Sequence, residues 1–99
     1  MMQEELNNIL LFLKNVQDNN DFGDDNAKIK YLYNELKNME YVLPSEEELD
    51  KLQKIEINLE IKHDCLNELS YYFDPLYMTM KKDIHKKYVD KLRNKNQKS

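Results

Sequence analysis

Apolar residues recur at spacings of three and four along the first part of the chain. This period is that of an amphipathic helix, so it predicts helices over residues 2–19 and 25–42. The two stripes consist of Met2, Leu6, Ile9, Leu10, Leu13 and Val16, and of Ile29, Leu32, Tyr33, Leu36, Met39 and Leu43. Between them an Asp- and Asn-rich run contains Gly23, which tolerates positive φ, so a loop is expected there.

Two prolines divide the second half of the chain. After Pro44, Ser45 is placed to cap a third helix, and no breaker follows until Asp74-Pro75, which predicts a helix over 45–73. Asp74 then serves as N-cap and Pro75 as the first residue of a fourth helix over 75–93, with a kinked continuous helix as the alternative. Its inward stripe is Tyr77, Met80, Ile84 and Tyr88, and residues 94–99 form a basic tail that should fray.

The third helix carries two apolar stripes on nearly opposite sides. The first comprises Leu52, Ile55, Leu59, Leu66, Leu69 and Phe73, and the second comprises Ile57, Ile61, Cys65 and Tyr72. A helix at the surface of a monomer needs one stripe, so either this helix is central in the bundle or its second stripe binds a partner. We expect an all-α fold, a compact antiparallel bundle of four helices with the long third helix central and residues 1–93 as one domain.

Composition narrows the class of protein further. The chain has 99 residues, is 40% hydrophobic and 34% charged, and contains one Gly and two Pro, which favours a single helical domain. Its longest apolar run, Ile9 to Leu13, is far shorter than the roughly 20 residues of a membrane span. Glu4 and Glu5 precede that run where a secretory signal would be basic, so a cytoplasmic location with no membrane partner is expected.

Charge is distributed unevenly along the chain. Residues 1–80 contain seven Lys or Arg and seventeen Asp or Glu, a net −10, whereas residues 81–99 contain eight and two, a net +6. A basic end can bind nucleic acid, but it can equally dock on the acidic body or remain solvated. Because an acidic body repels phosphate, nucleic-acid binding through the C-terminal helix ranks as a distant third hypothesis.

Candidate catalytic and metal-binding motifs are incomplete. The segment Asp18-x-Asn20-x-Phe22-Gly23 resembles a calcium loop but has Phe22 where an oxygen ligand is required. Glu60-x-x-His63, with Glu56, has a metal-ligand spacing without a second copy, so an exposed polar face is favoured.

Cys65 has no partner for an intramolecular disulfide and lies on an apolar stripe, which favours a buried, inert thiol. His63, two residues earlier on a helix, cannot readily pair with it. No phosphate loop or nucleophile motif occurs. The sequence therefore predicts no enzyme, no metal, no cofactor and no small-molecule substrate.

The remaining chemistry points to protein binding. Aromatic residues concentrate around Pro75, and Tyr71 lies off the apolar stripe, so it is a surface candidate. The candidate partner-binding residues are Ile57, Ile61, Cys65, Tyr72 and Tyr71. We expect a small intracellular adaptor or assembly module that binds another protein or its own copy, in the latter case as a homodimer through the third helix.

An acidic inhibitor is the alternative function. The string Ser45-Glu-Glu-Glu-Leu49 together with Tyr71-Tyr72 resembles nuclease-colicin immunity proteins over seven residues, and the segment between does not match. The resemblance implies a soluble acidic protein that neutralises a basic protein target.

Overall fold

Four helices form the fold. The computed structural model describes residues 2–97, and side-chain exposure for residues 3–93. The helices are α1 (Met2–Asn19), α2 (Asn26–Asn38), α3 (Glu46–Lys62) and α4 (Leu69–Gln97), with short 3-10 turns at Gly23–Asp25 and Asp64–Leu66. The all-α four-helix prediction is thereby confirmed.

The helices surround one hydrophobic core. α1 and α3 each pack against both α2 and α4, so every helix buries an apolar stripe against two neighbours. The fully buried side chains are Phe73, Leu6, Ile9, Leu13, Ile29, Leu32, Leu36, Leu49, Leu59, Leu66, Leu69 and Leu76. The predicted stripes supply most of this core, whereas Leu76 of α4 and the loop residue Phe22 add buried positions that the stripes did not contain.

Side-chain hydrogen bonds set the antiparallel register of α3 and α4. Ser70 Oγ donates to Glu60 Oε1 and Tyr77 Oη donates to Asp50 Oδ1, both at 2.8 Å. Residue numbers therefore decrease along α3 in the direction in which they increase along α4, so the two helices are antiparallel. Residues 57–61 of α3 accordingly lie level with the segment of α4 that begins at Ser70.

The predicted third helix over 45–73 is wrong in its C-terminal half. α3 ends at Lys62, and His63 is extended, with φ −129° and ψ 115°. His63 Nε2 lies 2.8 Å from Asp25 Oδ2, and its ring meets Phe22 edge to face at 4.9 Å between centroids. The loop after α1 thus holds His63 out of the helix, a tertiary contact that no local breaker signals.

Pro75 does not mark a helix boundary. α4 begins at Leu69 and continues through Pro75, so the predicted start at 75 and the N-cap role of Asp74 are wrong. Because proline has no N–H, the carbonyl of Tyr71, four residues earlier, lacks its helical hydrogen-bond donor. Only this one hydrogen bond is lost, and it lies near the start of the helix. α4 also continues past 93 to Gln97, and residues 98 and 99 of the expected frayed tail lie outside the described residues.

The start of α3 follows from local chemistry, whereas α2 and the C-terminal half of α4 differ from the predictions. Ser45 caps α3, because its side chain accepts a hydrogen bond from the Glu48 amide at 3.2 Å. α2 ends at Asn38, four residues before the predicted position 42. α4 is about 43 Å long in a molecule of 57 × 22 × 19 Å, and Tyr88 on its C-terminal half is exposed, so its predicted inward position is wrong.

Candidate protein-binding surface

Three of the four residues in the second apolar stripe of the predicted third helix are not covered by the bundle. Ile57 and Ile61 of α3 are exposed, Ile61 by 77%, so the expected central position of this helix is wrong. Cys65 is also exposed, which overturns the expectation of a buried thiol. The helix break explains the second outcome, because it places Cys65 in a 3-10 turn outside α3. It also places Tyr72 on α4 rather than on the same helix as Ile57 and Ile61.

Four exposed apolar side chains, two of α3 and two of α4, are here called the Tyr71 face: Ile57, Ile61, Tyr71 and Met78. Ile57 and Ile61 are one turn apart on α3, and Tyr71 and Met78 are two turns apart on α4. The antiparallel register places Tyr71 near the level of Ile57 and Ile61, and it places Met78 about two turns away, near the level of Asp50. Tyr71 is 75% exposed, in agreement with its predicted surface position.

A stack of aromatic rings supports Tyr71. The Phe12 ring of α1 stacks on Tyr72 with 4.9 Å between centroids, and Tyr71 meets Tyr72 edge to face at 5.3 Å. Tyr72 is half-buried in this arrangement. It therefore acts as a support for Tyr71 rather than as a freely accessible contact, and Tyr71 presents a pre-oriented ring.

An open groove lies beside Tyr71, between α1 and α4. Its volume is about 600 Å³, and the lining residues are Glu5, Asn8, Ser70, Tyr71, Tyr72, Asp74 and Pro75. We call it the Pro75 groove. Glu5 Oε2 is buried there and accepts no hydrogen bond from the described residues.

Glu56 is a buried acid of α3, and Asp74 of the Pro75 groove is one of its charged neighbours. It is 1% exposed, so the exposed polar face predicted for it is wrong. Burial first, and then the neighbouring carboxylates of Glu60 and Asp74, raise the pKa of Glu56 from an ordinary 4.5 to about 8. A hydrogen bond with Glu60 favours the protonated form, while Glu56 Oε1 has no partner among the described residues.

The Glu60-x-x-His63 spacing does not assemble a metal site. His63 points to Asp25, whereas Glu60 accepts from Ser70. Because a carboxylate only accepts, the Nε2 atom of His63 carries the proton of this contact, and that hydrogen bond is the main cause that lowers the pKa of Asp25. No group of three His, Cys, Asp or Glu suited to a metal ion occurs among the described residues.

Part of the basic C-terminal segment docks on the body. Lys81 Nζ lies 2.8 Å from Glu46 Oε1 and 3.1 Å from Asp50 Oδ1. For this one lysine, the basic segment therefore docks on the acidic body, which is one of the alternatives that the sequence left open. Within residues 3–93, the remaining Lys and Arg residues after 81 form no ion pair.

Comparison with protein-family models, with curated proteins and with solved structures finds no match. Among the described residues, no helix is long and apolar enough to cross a membrane.

Proposed function

We propose that this protein is a non-enzymatic helical module that binds another protein, or its own copy, through the Tyr71 face. The supporting observation is that Ile57 and Ile61 of α3 and Tyr71 of α4 leave their side chains exposed at similar levels of the two helices, with Met78 exposed two turns further along α4. Complete burial of one such apolar side chain contributes about 1.5–3 kcal/mol. Tyrosine near the centre of a patch is also a frequent determinant of binding free energy.

A homodimer is the simplest form of this proposal. Two copies related by a two-fold axis would bury the same face from each subunit. Because the contact is apolar, its stability should change little between low and high salt. A cytoplasmic adaptor or assembly role, as the sequence predicts, would use the same face for a different protein.

Size-exclusion chromatography with light scattering tests the proposal directly. The expected mass is twice the 12.0 kDa of one chain, retained at high salt and lost on dilution. Ile61→Asp and Tyr71→Ala should each shift the protein to monomer. The matched controls are Val42→Asp and Tyr41→Ala, which alter exposed residues outside the Tyr71 face and should leave the mass unchanged.

An acidic inhibitor of a basic protein is the second candidate. It is favoured by the net −10 of residues 1–80 and by the carboxylates of the Pro75 groove. A monomer at all concentrations would favour this function, and so would salt-sensitive capture of a basic partner. Nucleic-acid binding through the basic end of α4 remains the third hypothesis, which a salt-dependent gel shift with RNA or DNA would support.

A further inference from the structure

The C-terminal part of α4 extends beyond the hydrophobic core. Within residues 3–93, Met80 is the last fully buried residue of α4, and residues 82–97 continue the helix for about 24 Å. None of residues 82–93 is buried, since Ile84 and Val89 are half-buried and the others are exposed. The radius of gyration of 15.6 Å exceeds the roughly 13 Å of a compact chain of this length. We call residues 82–97 the α4 extension.

One side of the α4 extension is apolar. Ile84, Tyr88 and Leu92 follow one another at intervals of four residues, which places them along one side of the helix. Tyr88 is 61% exposed and Leu92 is 43% exposed. Two open grooves flank Tyr88, a larger one of about 590 Å³ on the side of Glu46 and a smaller one of about 230 Å³ on the side of Leu43. This side therefore has room for the side chains of another helix.

The α4 extension and the start of α3 carry opposite charges. Residues 82–93 contain five Lys or Arg and two Asp, a net +3. Within residues 3–93, none of these five cations forms an ion pair: Lys82, Lys86, Lys87, Lys91 and Arg93. Beside the base of the extension, α3 begins with three exposed acids, Glu46, Glu47 and Glu48. Opposite charges on neighbouring elements of one chain make this region complementary to a second copy of itself.

We propose that the α4 extension binds the α4 extension of a second copy, with the two helices antiparallel and related by a two-fold axis at Tyr88. Residues at equal distances from Tyr88 in opposite directions then meet, so Leu92 of one copy packs on Ile84 of the other. Arg93 of one copy lies within about 3 Å, along the helix axis, of the level of Lys81 in the other. Because Lys81 is bound to Glu46, the guanidinium can donate to the carboxylate of that Glu46.

The acids beside the extension favour a second copy over other anionic partners. A nucleic acid or an anionic membrane would be attracted by the lysines and repelled by the three glutamates at the start of α3. A second copy offers cations to these glutamates and an apolar side to Tyr88. The contact is independent of the Tyr71 face, since Tyr71 and Tyr88 are about 26 Å apart along α4, and one chain can use both surfaces.

Disulfide trapping in the full chain tests the proposal, because it detects a contact that is weak in dilute solution. Every variant carries Cys65→Ser, which removes the exposed natural thiol. Tyr88→Cys places a thiol at the two-fold axis. It should form the linked dimer about tenfold faster than Lys86→Cys, a factor that corresponds to about 1.4 kcal/mol of contact free energy. Lys86 is equally exposed but lies about 200° around the helix from Tyr88. Equal rates would overturn the proposal.

Leu92→Cys tests the direction of the two helices. In the antiparallel arrangement the two Leu92 residues lie about 12 Å apart along the helix axis, so this variant should link slowly to itself. A mixture of Leu92→Cys and Ile84→Cys chains should form the mixed dimer quickly. Fast linkage of Leu92→Cys to itself would overturn the antiparallel arrangement.

A charge swap tests the predicted ion pair. Arg93→Glu and Glu46→Lys should each slow the trapping of Tyr88→Cys, because each places like charges opposite one another. Both substitutions in one chain reverse the pair and should restore the rate. Lys30→Glu changes the net charge as Arg93→Glu does, at an exposed position of α2, and should leave the rate unchanged. A double variant that is folded by circular dichroism but remains slow would overturn the pairing of Arg93 with Glu46.

The Ile61→Asp background separates this inference from the proposed function. Trapping of Tyr88→Cys should persist there, because Ile61 belongs to the Tyr71 face. Loss of trapping in this background would overturn an independent surface. Persistent trapping with a mass that Ile61→Asp leaves unchanged would support the α4 extension and refute self-association through the Tyr71 face. Slow trapping of every variant, with NMR shifts of residues 82–93 on addition of single-stranded RNA or phosphatidylserine vesicles, would overturn the proposal in favour of that polyanion.

Discussion

Replacement of Glu56 by glutamine should change how the stability of this protein depends on pH. Glu56 is buried with its neighbours Glu60 and Asp74, and its pKa is raised to about 8. Glutamine has nearly the same shape, carries no charge, and can donate to Glu60 as the protonated acid does. The substitution therefore removes the titration while it preserves the packing.

The magnitude follows from linkage between protonation and folding. Between pH 4.5 and about 8 the folded chain keeps a proton on Glu56 that the unfolded chain releases. Its stabilising contribution is thus complete below pH 4.5 and is lost as the pH rises through the folded-state pKa. Each pH unit in this window lowers the free energy of unfolding by about 1.4 kcal/mol, up to about 5 kcal/mol in total.

Urea denaturation followed by circular dichroism at pH 5, 6, 7, 8 and 9 measures this effect. The wild type and Glu56→Gln should have similar stability at pH 5, and the variant should become progressively more stable than the wild type towards pH 8. Asp25 and Asp50 have lowered pKa values, so their contributions are lost as the pH falls below 3.8 and are constant across this range.

A matched exposed acid provides the control for this experiment. Glu47→Gln should give the same pH profile as the wild type, because Glu47 is exposed in the first turn of α3. A constant difference between wild type and Glu56→Gln from pH 5 to pH 8 would refute the reasoning. A lower stability of the variant at pH 8 would refute it as well.

Substitutions at three further positions test the fold. Leu76→Ala should lower the free energy of unfolding by about 2–5 kcal/mol in urea titrations, because Leu76 is fully buried; a loss below about 1 kcal/mol would contradict its core position. Ser45→Ala should cost about 1 kcal/mol and Ser45→Gly only a few tenths, since the hydroxyl caps α3; equal losses would argue against the cap. Pro75→Ala should raise the melting temperature by restoring a donor to the Tyr71 carbonyl, with a gain of about 1–3 kcal/mol, and a lower melting temperature would contradict this reasoning.

The candidate site was predictable only in part. Tyr71 lies off the apolar stripe of its helix, and that single property suffices to predict its exposure. The groove beside it could not be predicted, because Glu5 and Asp74 are far apart in the chain and meet only when α1 packs on α4. The burial of Glu56 could not be predicted either, because a glutamate between Ile55 and Ile57 looks like an ordinary polar residue on a helix.

The sequence by itself determined the helical class, most of the buried stripes and the cap at Ser45, because helical period and capping depend on residues within a few positions of each other. The tertiary structure decided where the third helix ends. His63 leaves the helix because it contacts Asp25 and Phe22, residues some forty positions earlier. That break lets α4 start at Leu69 and extend through Pro75. It also places Cys65 in an exposed turn, an outcome that depends on long-range packing and that no local pattern encodes.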